Sequence, residues 1–182
     1  MSLPRRAAAG FTLIEIMVVV VIIGIIATFA VLSIGSRALD DRMDNEAHRL
    51  EQLLRLASEE ATFKGLELGV EIRQDSYGFM ALGPDGKWLP VAGDDTFRER
   101  KLAEPFFLAL EVEGRRVKIP LDAADAEAKT RPDEDRKPQI MLLSSGEQTS
   151  FAVDLRAPNH AGYYRLEGDA LGRLKLEPRN AS

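Results

Sequence analysis

The chain has no cysteine. That excludes disulfides, thiolate nucleophiles and Cys-ligated zinc or iron–sulfur centres. Histidine is nearly absent, with His48 and His160 the only two. A His-based metal site or a nucleophile–His–acid triad would need one of them, and neither sits in a recognisable motif. Positive charge is in short supply: 24 Lys and Arg face 29 Asp and Glu, a net charge of −5. Arg5, Arg6 and Glu15 are the only charges before residue 16, so 22 bases and 28 acids remain from there onward. Phosphate binding rests on clustered Lys and Arg, so a broad nucleic-acid face is not expected. These shortages point away from an enzyme and leave no cofactor or metal to expect.

Charge of either sign is missing from Ile16 to Ile34, nineteen consecutive residues. As a helix that run spans about 28 Å at ~1.5 Å per residue, close to the hydrocarbon thickness of a bilayer. Arg5 and Arg6 precede it, and Arg37, Asp40 and Asp41 are the first charges after it. The positive-inside rule then places the N-terminus in the cytoplasm and the bulk of the chain outside. A cleaved secretory signal peptide is the simpler alternative. Its apolar region runs to only ~7–15 residues before a small-residue cleavage site, and no A-x-A site follows here.

Glu15 also argues against an ordinary signal peptide, because it interrupts the apolar segment four residues after Phe11. An ionisable residue inside an apolar helix is costly and as a rule has a partner and a function. Arg5 and Arg6 are nine or more residues away. Cleavage between Gly10 and Phe11 would create an α-amino group at Phe11, able to pair with a Glu15 carboxylate of the same chain or of a neighbour.

Gly10-Phe11-Thr12-Leu13-Ile14-Glu15, after a short basic leader and before an apolar helix, resembles the class III signal of type IV pilins and type II secretion pseudopilins. The resemblance implies that a prepilin peptidase cuts after Gly10 and methylates the new terminus at Phe11. It also implies that Glu15 pairs with a subunit's terminal amine during assembly. One departure is visible. Many family members carry a proline in the second half of this helix, whereas Phe29-Ala30-Val31-Leu32-Ser33 has none. Gly24 and Gly35 are the weak points in helix propensity there.

Helical periodicity continues beyond the apolar run. Leu39, Met43, Ala47, Leu50, Leu54, Ala57 and Ala61 form one apolar stripe, with Gly65 as the stop. The stripe reads as a seam against a sheet, and His48 beside it as a solvated or satisfied helix residue. From residue 66 the period becomes strand-like. Candidate strands are 66–72, 77–82, 87–89, 108–112, 116–119, 140–143, 149–155, 163–167 and 173–176, with turns at Gly83–Gly86, Ser145–Glu147 and Gly168–Asp169. Many short strands with turn signals indicate antiparallel sheets. Residues 93–100 read as a surface loop. Residues 121–138 hold ten charged residues and one large apolar one, Leu121, and read as a solvated loop.

The C-terminal half narrows the resemblance. Leu143-Ser144-Ser145-Gly146-Glu147-Gln148-Thr149-Ser150-Phe151-Ala152-Val153 and Gly168-Asp169-Ala170-Leu171-Gly172-Arg173-Leu174 are similar to segments of the minor pseudopilin H group. The fold expected is α+β and pilin-like, a long N-terminal helix packed on a C-terminal antiparallel β-sheet head. Its parts would be a leader 1–10, a transmembrane and assembly helix 11–36, an amphipathic continuation 37–65 and a periplasmic head 66–182. The resemblance implies a structural subunit of the type II secretion pseudopilus, at or near its tip, aiding export of folded proteins across the outer membrane. Its partners would be other minor and major pseudopilins, prepilin peptidase, the inner membrane and secreted proteins.

Two other classes compete. A minor pilin of a type IV pilus, including DNA-uptake types, is suggested by Gly172-Arg173-Leu174-Lys175, and the acidic head opposes it. A hydrolase or metal enzyme would need the carboxylates at Asp94-Asp95, Asp122/Asp125 or Asp133-Glu134-Asp135. None has calcium-loop spacing, and all read as solvated surface acid.

Overall fold

A computed structural model describes residues 12–91, 95–119 and 136–180, with the backbone alone for 27–36. Among the described residues, one long helix, α1 (Leu13–Lys64), is followed by ten strands. The chain divides into two compact units between Asp40 and Asp41.

The first unit is α1 as far as Asp40. Its described side chains from Leu13 to Ile26 are apolar apart from Glu15 and are exposed. Among the described residues no helix is long and apolar enough to cross a membrane. The second half of the expected apolar span, 27–34, lies where side chains are not described.

The second unit opens with the rest of α1. Met43, Ala47, Leu50, Leu54, Ala57 and Ala61 are all buried, as the stripe requires, and Leu53 joins them. The other faces carry i,i+3 and i,i+4 ion pairs, among them Arg49–Glu46 and Arg55–Glu51. The helix stops where Gly65 adopts φ 65°, letting the Leu66 N–H donate to the Ala61 carbonyl at 3.0 Å. That six-residue closure satisfies a carbonyl the helix would otherwise leave open.

The strands form two antiparallel five-stranded sheets. The first has the order β3-β2-β1-β7, from β1 (Leu68–Ile72), β2 (Ser76–Leu82), β3 (Trp88–Pro90) and β7 (Ile140–Leu142), with β4 (Arg100–Lys101) also paired to β2. The second has the order β10-β9-β8-β5-β6, from β5 (Phe107–Val112), β6 (Arg115–Val117), β8 (Phe151–Arg156), β9 (Gly162–Gly168) and β10 (Leu174–Asn180). Alternate residues on each sheet turn inward. Val70, Ile72, Tyr77, Phe79, Ile140 and Leu142 of the first, and Leu108, Leu110, Val153, Leu155 and Leu166 of the second, join the helix stripe in the core. Burial pushes the Tyr77 phenol up to about 12, and the Glu46 carboxylate adds to the shift.

Residues 93–100 differ from the loop expected there. Residues 92–94 lie outside the described set, but Phe97 is buried with its ring 5.2 Å from that of Phe79. Arg100 then starts β4 opposite Tyr77. An aromatic anchor and a two-residue pairing hold this segment to β2, and neither has a local sequence signal. Of the charged run 121–138 only Arg136 onward is described. Arg136 donates from Nε to Glu71 at 2.9 Å on β1, and Pro138 lies over Gly69, where a Cβ would collide with its ring.

Candidate assembly site and surface of the head

Gly10 and Phe11, the expected cleavage and methylation positions, lie outside the described residues. Thr12 is the first residue described, and it caps α1. Its carbonyl accepts the Glu15 N–H at 3.1 Å and its hydroxyl accepts the same N–H at 3.3 Å. This is a Ser/Thr N-cap holding the N–H of the third helical residue. Glu15 therefore stands in the first turn, where a carboxylate meets the positive end of the helix macrodipole. Thr12-x-x-Glu15 is itself a capping-box sequence. Just beyond, Leu13, Ile16, Met17, Val20 and Val21 make one exposed apolar face of α1.

The head presents charge that is mostly paired. On the outer face of the second sheet the Arg165 guanidinium bonds Glu111 at 2.6 Å, Glu167 at 2.8 Å and Asp154 at 3.0 Å. The hydrogen bond from Arg165 holds the Glu111 carboxyl below its usual range, against a smaller opposing effect of burial. Arg156 pairs with Asp154 at 2.9 Å and stacks 4.1 Å over the Tyr163 ring. The basic residues of 172–175 are engaged in the same way: Arg173 with Asp169 and Lys175 with Glu177, both at 2.7 Å. A phosphate would have to displace those carboxylates, which weighs against DNA as a ligand of this element.

His48 lies exposed on α1 with Nδ1 3.0 Å from the Asp44 carbonyl and 3.3 Å from its Oδ1. Asp94, Asp122, Asp125 and 133–135 fall outside the described residues. Among those described, no group of three or more His, Cys, Asp or Glu is arranged to hold a metal ion.

Residues 5–31 match the prokaryotic N-terminal methylation motif, and residues 46–172 match the family described as Type II transport protein GspH. The chain belongs to the GspH family. It is 36% identical over 151 residues to type II secretion system protein H of Pseudomonas aeruginosa, covering 82% of this chain and 84% of that protein. The namesake from Aeromonas hydrophila is 29% identical over 175 residues, 94% of each chain. Among solved structures, the minor pseudopilin EpsH of the Vibrio cholerae type 2 secretion system superposes with a TM-score of 0.61 at 26% identity. The match covers 77% of this chain and 96% of that one. The solution structure of Escherichia coli GspH, at 20% identity and TM-score 0.53, shares the fold. The pilin-like α+β fold is thus established, and this GspH-family chain is a minor pseudopilin of the type II secretion system. As such it is a membrane-anchored pseudopilus component that assembles with other pseudopilins.

Proposed function

We propose that the chain is processed between Gly10 and Phe11 by a prepilin peptidase, methylated at Phe11, and then joined to the pseudopilus through Glu15. The Thr12 cap is the observation that carries this reading. It fixes the first turn of α1, so the Glu15 carboxylate stands at the helix start, four residues in sequence from the amine that cleavage would create. In an apolar setting a carboxylate–amine pair interacts more strongly than at a surface, and desolvation of both groups offsets part of the gain.

In this reading the N-terminus faces the cytoplasm and the head faces the periplasm. The subunit sits at or near the pseudopilus tip, beside other minor and major pseudopilins. It helps drive folded proteins across the outer membrane, with secreted proteins as passing contacts. It acts through packing and performs no catalysis.

Mass spectrometry of the mature N-terminus tests the first half, with a methylated Phe11 expected. For the second half, Glu15→Leu should still insert and still be cleaved after Gly10. It should lose cross-links to partner pseudopilins in membranes, and secretion should fall with them. Wild-type cross-linking by Glu15→Leu overturns the pairing role.

A further inference from the structure

A cleft of about 370 Å³ opens at the β6 edge of the second sheet. It exists because β6 is short. β8 pairs with β5 along all of Phe107–Val112, whereas β6 pairs with Leu110–Val112 alone. Past Val117 the chain turns inward and buries Ile119. Among the described residues Phe107–Ala109 have no strand on that side. The Leu108 N–H there is taken by the Gln74 carbonyl at 2.8 Å. A ligand of this cleft is therefore held by side chains and not by adding a strand to the sheet.

Ala109, Val117 and Ile119 supply an apolar floor, and the walls are charged. Glu111 and Asp154 are the carboxylates of the lining, and Arg165 already bonds both, at 2.6 and 3.0 Å. Against them stand three cations, Arg116, Lys118 and Arg156. The Arg116 side chain is 82% exposed and meets Glu111 no closer than 3.7 Å. Lys118 is exposed. Arg156 bonds Asp154 at 2.9 Å and lies over the Tyr163 ring, yet its buried Nε has no hydrogen-bond partner among the described residues. Leaving such a donor without an acceptor is costly. Cations over an apolar floor select an anion with a carbon body. A carboxylate matches the planar guanidinium fork, and Glu111 and Asp154 repel it less than they would a doubly charged phosphate. The volume lies near the low end of the ~300–1,000 Å³ usual for ligand pockets, room for a short stretch of chain and not for a folded element.

We propose that this cleft binds an acidic segment of a secreted protein, with a Glu or Asp carboxylate against Arg116, Lys118 and Arg156 and an apolar neighbour on the floor. Charge complementarity and position argue for this occupant. The chain as a whole carries a net charge of −5, so a cleft with surplus cations is a local exception. It belongs to the outer face of the second sheet, whose inner face joins the α1 seam, and so lies on the side away from the helix that carries assembly. Exposed cations suit a passing contact, because solvated ion pairs add little affinity and speed encounter. The inference rests on the reading above that secreted proteins are passing contacts, and gives that contact a place and a chemistry.

The test uses the full-length chain in detergent with a fluorescein-labelled peptide of alternating Glu and Leu, and the Gln and Leu counterpart as the neutral control. Anisotropy should show binding of the Glu peptide alone, weakening as salt is added. Lys118→Glu should lower that affinity about tenfold, the size of one lost charge-assisted hydrogen bond, at an unchanged melting temperature. Lys118→Arg should keep it. Arg115→Glu makes the same charge change one residue away on the other face of β6, and should leave binding nearly unchanged. In secreting cells, p-benzoylphenylalanine at position 118 should give adducts to secreted proteins that map to acidic stretches. Equal binding of the two peptides, equal effects of Lys118→Glu and Arg115→Glu, or adducts at position 118 to pseudopilins alone overturn the cleft. So does an absence of adducts there. The assembly reading stands or falls separately, on the Glu15→Leu cross-links.

Discussion

The Tyr164 hydroxyl on β9 donates to Asp44 Oδ1 on α1 at 2.7 Å, across 120 residues of sequence. It is a polar tie between the head's helix and its second sheet, and His48 approaches the same carboxylate oxygen at 3.3 Å. Tyr164→Phe keeps the ring and removes only the donor. It should cost about 0.5–1.5 kcal/mol, the usual net value of one hydrogen bond. A double-mutant cycle with Asp44→Ala, measured by denaturant unfolding, should return a coupling of about 0.5–1 kcal/mol. Additive effects would show that the tie contributes nothing beyond its geometry.

Gly168 faces Phe151 across the β8–β9 pair, and the aromatic ring lies over the glycine. A Cβ there would sit 2.6 Å from the ring's Cζ and 2.6 Å from Gln148 Nε2. Phe151 is buried and has little room to withdraw. Gly168→Ala should therefore destabilise the head by about 1–3 kcal/mol, as overpacking does in tight cores. In a Phe151→Ala background the same substitution should cost much less, and equal losses in both backgrounds would rule out the steric account.

Arg165 holds three carboxylates, and Asp154 among them is only 5% exposed. Arg165→Met should cost about 1.5–3 kcal/mol at neutral pH, the range for hydrogen bonds to charged groups. The pH dependence has a definite sign. Glu111 has a folded-state value below its unfolded one, so its contribution is complete above the ordinary glutamate value of about 4.3 and fades as pH falls through the folded value. The stability gap between wild type and Arg165→Met should narrow on acidification below about pH 4.3. Thermal melts across that window check it, and a constant gap would remove Glu111 from the account.

The seam of α1 was legible because a 3.6-residue period fixes which residues share a face, and Met43 to Ala61 obey it. Most strands were legible from alternation and from turns such as Gly83–Gly86. Segment 93–100 was not, because Phe97 against Phe79 and Arg100 opposite Tyr77 are tertiary contacts without local pattern. For the same reason nothing local announced that β7 would pair with β1, Leu142 standing opposite Leu68 from 74 residues further along. At the helix start, Gly10, Phe11 and Glu15 stood out by motif.

The seam leads to a test of how the head holds together. Met43, Leu50, Leu54 and Ala61 are each no more than 3% exposed, so the second half of α1 completes the core of the second unit instead of merely linking it to the apolar segment. A chain beginning at Arg37 keeps this stripe and sheds the aliphatic run. It should be soluble and should melt cooperatively. A chain beginning at Gly65 keeps every strand but uncovers the inward residues the helix shielded, a large apolar patch of the kind that drives aggregation. Within the Arg37 chain, Leu54→Ala should cost about 2–5 kcal/mol, the range for emptying a buried leucine site. The exposed Leu56→Ala should cost far less, because its side chain leaves no cavity. Size-exclusion chromatography and denaturant unfolding measure both comparisons. A Gly65 chain that is monomeric and as stable as the Arg37 chain, or a Leu54→Ala loss no larger than that of Leu56→Ala, would mean that the sheets close their core without the helix.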